Sequence, residues 1–360
     1  MEDGDRPASE PPADRHRLTP RALSERAKAT ALEAGFDLAG VARADAPREL
    51  SFFAEWVAHG YAGTMAYLSS QAERRGDLRI AFPWARSVLS VALQYDTPHP
   101  YSTDAPGDRG WIARYAWGDD YHDVMKTRLD AVVLRLAEAI GPFHARTYVD
   151  TGPIAERAYA AAAGIGAWGK NTCLLHPDHG SWFFLGEVVT DLDLEPDAPR
   201  PDMCGTCTAC LDACPTDAFP APYVLDATRC ISYLTIEVKG AIAEDQREGM
   251  GRHVFGCDIC QDVCPWNRKR RQTGEAPFEP RPGFVAPDLE ELAGLDAAAF
   301  SERFRRSPVK RAKRRGLLRN VAVALGNSQD RSRRPLLERL SQDDDPVVRE
   351  HALWALRRLA

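Results

Sequence analysis

The order of apolar and polar residues along the first half of the chain predicts helices that alternate with strands. Residues 18–43 favour a helix followed by a strand in "GFDLAGVA", and "SVLSVALQY" (87–95) is short and β-branched, as expected of a buried strand. Further strands are predicted in "HARTYVD" (144–150) and "SWFFLGEVVTD" (181–191). This alternation predicts an α/β layer over residues 18–195.

Two helices of this layer have clear boundaries. The first is predicted over residues 119–142, ends at Gly141-Pro142, and has apolar residues at helical spacing: Val124, Met125, Leu129, Val132, Val133, Leu136 and Ile140. The second is predicted over residues 151–164, with Pro153 near its first turn and Gly164 at its end.

Proline-rich segments divide the rest of the chain. They lie at 194–203 and 281–287, on either side of a cysteine-rich stretch. Beyond them, "LLRNVAVALGNS" and "PVVREHALWALRRL" lie about 30 residues apart and resemble one another, which predicts HEAT-like helical repeats. The predicted domains are a disordered segment (1–17), the α/β domain (18–195), a ferredoxin-like domain (196–280) and HEAT-like repeats (281–360).

Composition and charge limit where the protein works. The net charge of -6 provides no general attraction to nucleic acid, so a basic surface has to be local, as in the runs at 268–271 and 310–319. Such runs are often only solvated faces. The polar, proline-rich start has no apolar run, and no stretch approaches the roughly 20 apolar residues of a membrane span. We expect a cytoplasmic monomer without membrane contact, in which reduced thiols bind metal rather than form disulfides.

Eight of the nine cysteines fall into two runs and one isolated position. The runs are C-x2-C-x2-C-x3-C-P from residue 204 and C-x2-C-x3-C-P from residue 257. In two-cluster ferredoxins, the fourth cysteine of such a run binds the other [4Fe–4S] cluster. Val263 stands where the second run would carry its third cysteine, and Cys230 replaces it. This pattern assigns one cluster to Cys204, Cys207, Cys210 and Cys264, and the other to Cys214, Cys230, Cys257 and Cys260.

Other uses of these cysteines are less consistent with the spacing. Two zinc ribbons would need C-x2-C pairs a dozen or more residues apart, but neither the third cysteine nor the Cys-Pro endings. The ninth cysteine, Cys173, is expected to be a small buried hydrophobe. His176 and His179 lie in a loop rich in proline, aspartate and glycine and are expected at the surface.

Several longer stretches resemble the epoxyqueuosine reductase family, and the resemblance covers residues 18–360. It is carried by "RYAWGDDYH" (114–122), "DTGPIAERAYAAAAGIGAWGKNTCLL" (150–175), "SWFFLGEVVTD" (181–191), "CISYLTIEVKGAI" (230–242) and "CDICQDVCPWN" (257–267). It implies an α/β cobalamin-binding domain of the nitroreductase and reductive-dehalogenase type. The implied reaction is reduction of the epoxide of epoxyqueuosine at the wobble position of tRNAs with a GUN anticodon.

The resemblance also implies the cofactors. Cobalamin reduced to Co(I) is the expected reductant, because no side chain has so low a potential. The two clusters would supply its electrons from an unidentified low-potential donor. We expect base-off cobalamin without a histidine ligand, since Met125 stands where a D-x-H-x-x-G motif beginning at Asp120 needs glycine. A corrinoid reductive dehalogenase and a ferredoxin-like electron carrier are the alternative functions.

By the same resemblance, Asp150 is the proton donor. It ends a predicted strand before a helix, where α/β sheets place ligands, and an acid working near neutral pH has to be shielded from water. The alternative is that Asp150 caps the following helix. Lys239 is implied to face the tRNA, and the implied cobalamin contacts, for which ordinary packing is the alternative, are Arg79, Ala113, Asp150, Leu174, Leu185, Ser232 and Ala241.

Overall fold

The structure, a computed structural model, describes residues 18–101, 104, 106–268 and 270–360. The segment 1–17, predicted to be disordered, lies outside the described residues. The strands are β1 (Leu38–Arg43), β2 (Ser87–Gln94), β3 (Trp111–Ile112), β4 (Ala145–Tyr148), β5 (Ala167–Trp168), β6 (Leu174–Leu175), β7 (Phe183–Thr190) and β8 (His253–Phe255).

The helices follow the same chain order. They are α1 (Pro20–Glu33), α2 (Ser51–Ala58), α3 (Ala66–Ser69), α4 (Ala72–Gly76), α5 (Leu78–Ala81), α6 (Tyr121–Ile140), α7 (Glu156–Ala162), α8 (Ala209–Asp212), α9 (Ile231–Ile236), α10 (Glu244–Arg247), α11 (Ile259–Asp262), α12 (Leu289–Ala293), α13 (Ala297–Arg303), α14 (Lys313–Asn327), α15 (Arg334–Leu340) and α16 (Pro346–Arg358).

Four strands form the central sheet in the order β1-β2-β7-β4. All four were predicted from the sequence, and helices cover the sheet as an α/β layer requires. Every pairing in this sheet is antiparallel, however. The rule that places ligands at the carboxyl ends of parallel strands therefore gives no support to Asp150, whose site has to be argued from its own contacts.

The two faces of the sheet are covered by different helices. One face packs against α1 and α6, where the predicted spacing is confirmed by the burial of Met125, Leu129, Val132, Leu136 and Ile140. The other face packs against α7, through Val88, Ala92 and Val189 of the sheet. Since side chains alternate along a strand, β7 contributes Phe184 to the first face and Glu187 to the second.

Helix α7 begins five residues later than predicted. Its first residue is Glu156, and residues 150–155 form an irregular connection after β4. Pro153 disfavours helical geometry at the residue before it, which keeps the helix from beginning before Pro153. That residue, Gly152, lies so close to Tyr148 that an added Cβ would come within 2.3 Å of the ring.

The cysteine-rich segment and the C-terminal helices share one apolar core. It contains Ile231 of α9 and Phe255 of β8 together with Leu318 and Val321 of α14, and β8 also pairs in parallel with β3. The two similar segments of the C-terminal part are α14 and α16, which pack against each other. Their identity as HEAT repeats and the domain boundaries remain predictions.

Arg319 of α14 fixes the backbone of the cysteine-rich segment. Its side chain is fully buried and donates to the carbonyl oxygens of Leu234, Val238 and Gly240 at 2.8, 2.7 and 2.9 Å. Arg319 was part of the basic run considered as a phosphate-binding stripe. Its burial shows that this residue of the run has a structural role instead.

Candidate functional site

The four cysteines predicted for the first cluster surround one cavity. Cys204, Cys207, Cys210 and Cys264 line a space of about 40 Å³, together with Lys170 and Trp266. The backbone N–H of Lys170 points at Sγ of Cys204 at 3.4 Å, and its buried ammonium donates to the carbonyl oxygens of Gly205 and Cys207 at 2.7 and 2.9 Å. Lys170 therefore fixes the shape of the loop that carries the first two cysteines.

The cysteines predicted for the second cluster also lie together. The thiol of Cys257 interacts with those of Cys230 and Cys214, and the thiol of Cys260 interacts with those of Cys257 and Cys230. The short helices α8 and α11, which carry Cys210 and Cys260, pack against each other. Within the described residues, no group of three or more His, Cys, Asp or Glu side chains lies close enough together to hold a single metal ion.

Cys173 is more than a small buried hydrophobe. It is half-buried and forms a hydrogen bond with Cys260, which lowers the pKa of the Cys173 thiol. The neighbouring Asn171 donates its Nδ2 to the carbonyl oxygen of Cys260 at 3.1 Å. The connection before β6 therefore lies directly against the second group of cysteines.

Asp150 is held in an unusual backbone conformation just after β4. Its φ of 58° lies in the left-handed region, which residues other than glycine rarely adopt. The phenol of Tyr121 donates a hydrogen bond to Oδ2 of Asp150, and Nε2 of His122 lies 3.7 Å from the same oxygen. The residue before α7 is Ala155, so the alternative that Asp150 caps this helix is wrong.

Burial and charge around Asp150 change the acidity of its neighbours. Burial and the nearby Asp150 carboxyl raise the pKa of Tyr121 well above its ordinary value, which keeps the phenol a hydrogen-bond donor. Burial lowers the pKa of His122, but hydrogen bonding to Asp120 and the charge of Asp150 outweigh it and raise that pKa overall. Asp150 itself has a side chain that is 48% exposed, so another group has to cover it to exclude water.

Two glutamates that the sequence analysis did not select lie beneath Asp150. The backbone N–H of Asp150 donates to Oε1 of Glu156 at 2.5 Å, and Glu187 of β7 faces Glu156 from a fully buried position. Burial raises the pKa of both glutamates well above their ordinary value. The available signal was the single acidic residue in the otherwise apolar stretch "WFFLGEVV".

Four of the predicted cobalamin contacts lie near either Asp150 or the second group of cysteines. Leu174 and Leu185 belong to the apolar cluster beside α7, which also contains Ile154 of the connection after Asp150. Ser232 lies two residues after Cys230. Ala113 packs on Gly256, where an added Cβ would come within 2.5 Å of the Ala113 Cβ, and Gly256 precedes Cys257.

The other predicted contacts are at the surface. The guanidinium of Arg79 pairs with Asp77 and Asp45 at 3.0 and 2.9 Å. Lys239 donates its ammonium to the carbonyl oxygen of Ile236 at 2.8 Å, and Ala241 is exposed. None of these three makes a contact with Asp150 in the described part of the chain.

The expectation that two histidines lie at the surface is wrong. His176 and His179 are each 5% exposed, and burial lowers the pKa of His176 to about 4. Their loop packs on β2, where Gln94 hydrogen-bonds to His179. Arg270 of the basic run at 268–271 is also bound internally, since its Nε lies 2.6 Å from the buried carboxylate of Asp96.

No helix among the described residues has both the length and the apolar character needed to cross a bilayer.

Comparison with known proteins gives consistent matches along the chain. Residues 203–267 match the model of a 4Fe-4S double cluster binding domain, and residues 75–151 match the model described as "Epoxyqueuosine reductase QueG, DUF1730". The epoxyqueuosine reductase of Xanthomonas campestris is 42% identical over 94% of this chain and 97% of its own length. That of Pseudomonas aeruginosa is 41% identical over 94% and 95%.

Solved structures agree with the sequence matches. A crystal structure of an epoxyqueuosine reductase with an epoxyqueuosine-modified tRNA stem loop covers 94% of this chain and 90% of its own, with a TM-score of 0.84 and 34% identity. The Streptococcus thermophilus enzyme superposes with a TM-score of 0.80 at 28% identity over 93% of this chain and 90% of its own. On this agreement of sequence and fold, the chain belongs to the epoxyqueuosine reductase family.

Proposed function

We propose that this chain reduces the epoxide of epoxyqueuosine to the alkene of queuosine at the wobble position of tRNA. The observation that carries the proposal is the placement of Asp150. Its carboxyl group is oriented by Tyr121 and His122. The ring of Tyr121 contacts that of Tyr115, which lies against the residue before Cys257. An acid placed next to an electron-carrying centre suits a reduction in which a proton and electrons arrive together.

The cysteine geometry fits two [4Fe–4S] clusters. Each predicted set brings four thiols together, and the match of residues 203–267 to a double-cluster domain supports the assignment. The pattern assigns Cys204, Cys207, Cys210 and Cys264 to one cluster, and Cys214, Cys230, Cys257 and Cys260 to the other. The contact of helices α8 and α11 would keep the two clusters close enough to exchange electrons.

A corrin bound at this site would lie over the half-exposed carboxyl of Asp150. Leu174 and Leu185 belong to the apolar cluster that also contains Ile154, and Ala113 and Ser232 lie beside the second group of cysteines, which supports this placement. Bound cobalamin would supply the strongly reducing metal centre that side chains lack. It would also cover the half-exposed carboxyl of Asp150, so that the acid is shielded from water.

The protein residues then have distinct tasks. Asp150 gives a proton to the epoxide oxygen as the carbon–oxygen bond breaks, and Tyr121 fixes the direction of that carboxyl group. His122, whose raised pKa favours its charged form, lies close enough to Oδ2 to stabilise the carboxylate that remains. In total, two electrons and two protons enter, and oxygen leaves as water.

A small basic patch, formed by Lys239, Arg311 and Lys313, is the proposed tRNA contact. All three side chains are exposed, and the charges of Arg311 and Lys313 help burial to lower the pKa of Lys239. Arg311 is partly neutralised by Glu237 at 2.7 Å, so Lys239 and Lys313 carry the free charge. Cations at this spacing suit the phosphates around a splayed anticodon base.

The test is an assay of modified nucleosides in tRNA that carries epoxyqueuosine. Wild type is expected to form queuosine, and Asp150→Asn is expected to lose about 10²–10⁴-fold in rate, the usual contribution of general acid catalysis. Asp130→Asn is the matched control, because Asp130 is exposed on α6 and its carboxyl group contacts Lys126 and Thr147. An Asp150→Asn variant with wild-type turnover would remove Asp150 from the reaction. If the wild type contained both clusters but formed no queuosine, the alternative function of an electron carrier would be favoured.

A further inference from the structure

Glu187 is a buried acid whose carboxyl group has neither a basic nor a backbone partner among the described residues. It is 0% exposed in the middle of β7, opposite Ser90 of β2 and Tyr148 of β4. Helix α7 covers this face of the sheet with alanine side chains. Among the described residues, Glu156 is the side chain that shares a hydrogen bond with Glu187; no backbone or basic group donates to it, and Ser90 Oγ is without a partner. A buried polar group in this state normally has a functional reason.

The group that faces Glu187 is another carboxyl. Glu156 lies between Glu187 and Asp150, its side chain interacts with both carboxyl groups, and its Oε1 accepts the backbone N–H of Asp150 at 2.5 Å. The three acids thus form a row that leads from the interior of the sheet to the site. Exposure rises along this row, from fully buried Glu187 through half-buried Glu156 to Asp150 at 48%.

The charges around the row require protons within it. Three ionised carboxyl groups in contact would repel one another strongly at low dielectric. Arg75 faces Glu156 and Asp150 while its Nη1 donates to the carbonyl oxygen of Ile154 at 2.9 Å, and it can balance one negative charge. His122 faces only the Asp150 end. Burial and the neighbouring carboxyls raise the pKa of Glu156 and Glu187 together, which agrees with protons on these two acids.

We propose that Glu156 and Glu187 each hold a proton, and that these stored protons recharge Asp150 during each turnover. The proposal rests on the proposed function, in which one reduction consumes two protons. After Asp150 has given its proton to the leaving oxygen, the Glu156 carboxyl passes a proton to the Asp150 carboxylate. Glu187 then protonates Glu156, and solvent restores the store after product release. Both glutamates act through Asp150 and are therefore positioning residues.

The first test needs no turnover. A protonated carboxylic acid has a C=O infrared band that shifts in D₂O, and wild type is expected to show it at about pH 7.5, above the ordinary pKa of glutamate. Glu187→Gln and Glu156→Gln should each weaken the band, whereas Glu138→Gln, at an exposed position of α6, should leave it unchanged. A wild type without the band, or a band that survives both substitutions at full strength, would overturn the proposal. If Glu187→Gln fails to fold, Glu156→Gln still tests the proposal, because Glu156 is only half-buried and its substitution should be better tolerated.

The second test uses the dependence of kcat on pH. At about pH 6, protons from solvent are plentiful and the stored protons are needed less, so Glu156→Gln should stay near wild type, whereas at about pH 8.5 it should be about tenfold slower or more. Glu156→Asp should recover part of the loss, because it restores an ionisable group. The same ratio to wild type at every pH would indicate a merely structural role and overturn the relay. A wild type without turnover would refute the proposed function, while the infrared band would still decide whether the proton is stored.

Discussion

The ring of Tyr121, which donates its hydroxyl to Asp150, stacks flat on Phe184. The two ring centroids are 4.2 Å apart and the planes differ by 2°. Phe184 belongs to β7, in the centre of the sheet, and Glu187 belongs to the opposite face of the same strand. Strand β7 therefore supports Asp150 from both faces of the sheet. Phe184 holds the ring of Tyr121 on one face, and Glu187 contacts Glu156 on the other.

Replacing Tyr121 by phenylalanine isolates the first of these supports. The ring would still stack on Phe184, but Asp150 would lose the hydrogen bond that orients its carboxyl group, worth about 0.5–1.5 kcal/mol for a neutral pair. We expect turnover to fall about tenfold, with little change in the melting temperature. Single-turnover formation of queuosine measures the effect.

The matched control is Tyr95→Phe. Tyr95 also packs on Phe184, with a centroid distance of 4.4 Å, but its hydroxyl interacts with Gln261 rather than with Asp150. If Tyr95→Phe and Tyr121→Phe slowed turnover equally, packing on Phe184 would explain both effects, and the orienting role of the phenol would be wrong.

Substitutions of Cys230 and Cys173 should have opposite effects on iron content. Cys230 belongs to the second group of cysteines, and Cys173 lies beside that group. Cys230→Ala should remove one ligand of the second cluster, so that iron falls from about eight towards about four atoms per chain. Cys173→Ala should retain all the iron, because Cys173 only hydrogen-bonds to Cys260. Iron analysis and electron paramagnetic resonance of anaerobically prepared protein measure both. A full complement of iron in Cys230→Ala would contradict its role as a cluster ligand. Loss of iron in Cys173→Ala would mean that Cys173 is a ligand instead.

The sequence predicted the elements whose patterns are local. Strand and helix periodicity located the four sheet strands and α6, and cysteine spacing selected eight thiols whose assignment to two clusters stays a prediction. The start of α7 was predicted too early, because the irregular turn at Asp150 depends on contacts with Tyr121 and Glu156. Glu187 was missed for a similar reason: its importance comes from what the folded sheet places opposite it, and no local pattern contains that information.

Long-range charge pairs were equally invisible in the sequence. Asp96 is fully buried and binds two arginines, Arg114 at 3.0 Å and Arg270 at 2.6 Å. Arg270 lies in a run that charge alone assigned to a solvated or phosphate-binding face. These contacts connect the end of β2 to the segment that follows the second cysteine run.

Asp96→Asn should destabilise the protein strongly. It would leave two arginines around a buried site without their counter-charge, and breaking a buried pair in this way costs about 3–5 kcal/mol. Urea unfolding is the suitable measurement, since guanidinium chloride would screen the ion pairs. Asp193→Asn is the control, because this partly exposed partner of Arg43 and Arg86 should contribute about 1 kcal/mol or less. If both variants lost the same free energy of unfolding, the buried ion pairs of Asp96 would contribute no more to stability than the pairs of Asp193.

Glu187 should make the stability of the fold depend on pH. Its pKa in the folded protein is raised well above its ordinary value of 4.5, so between these two values the folded chain keeps a proton that the unfolded chain has released. Folding stability therefore falls as pH rises through this window, by up to about 1.4 kcal/mol for each pH unit. Glu187→Gln cannot ionise, so its free energy of unfolding should decline less between about pH 5 and pH 8. Urea unfolding of both proteins across this range measures the difference, with Glu138→Gln expected to follow wild type. Parallel curves for wild type and Glu187→Gln would show that Glu187 is ionised in the folded protein, and the row of carboxyl groups could then hold no proton at its buried end.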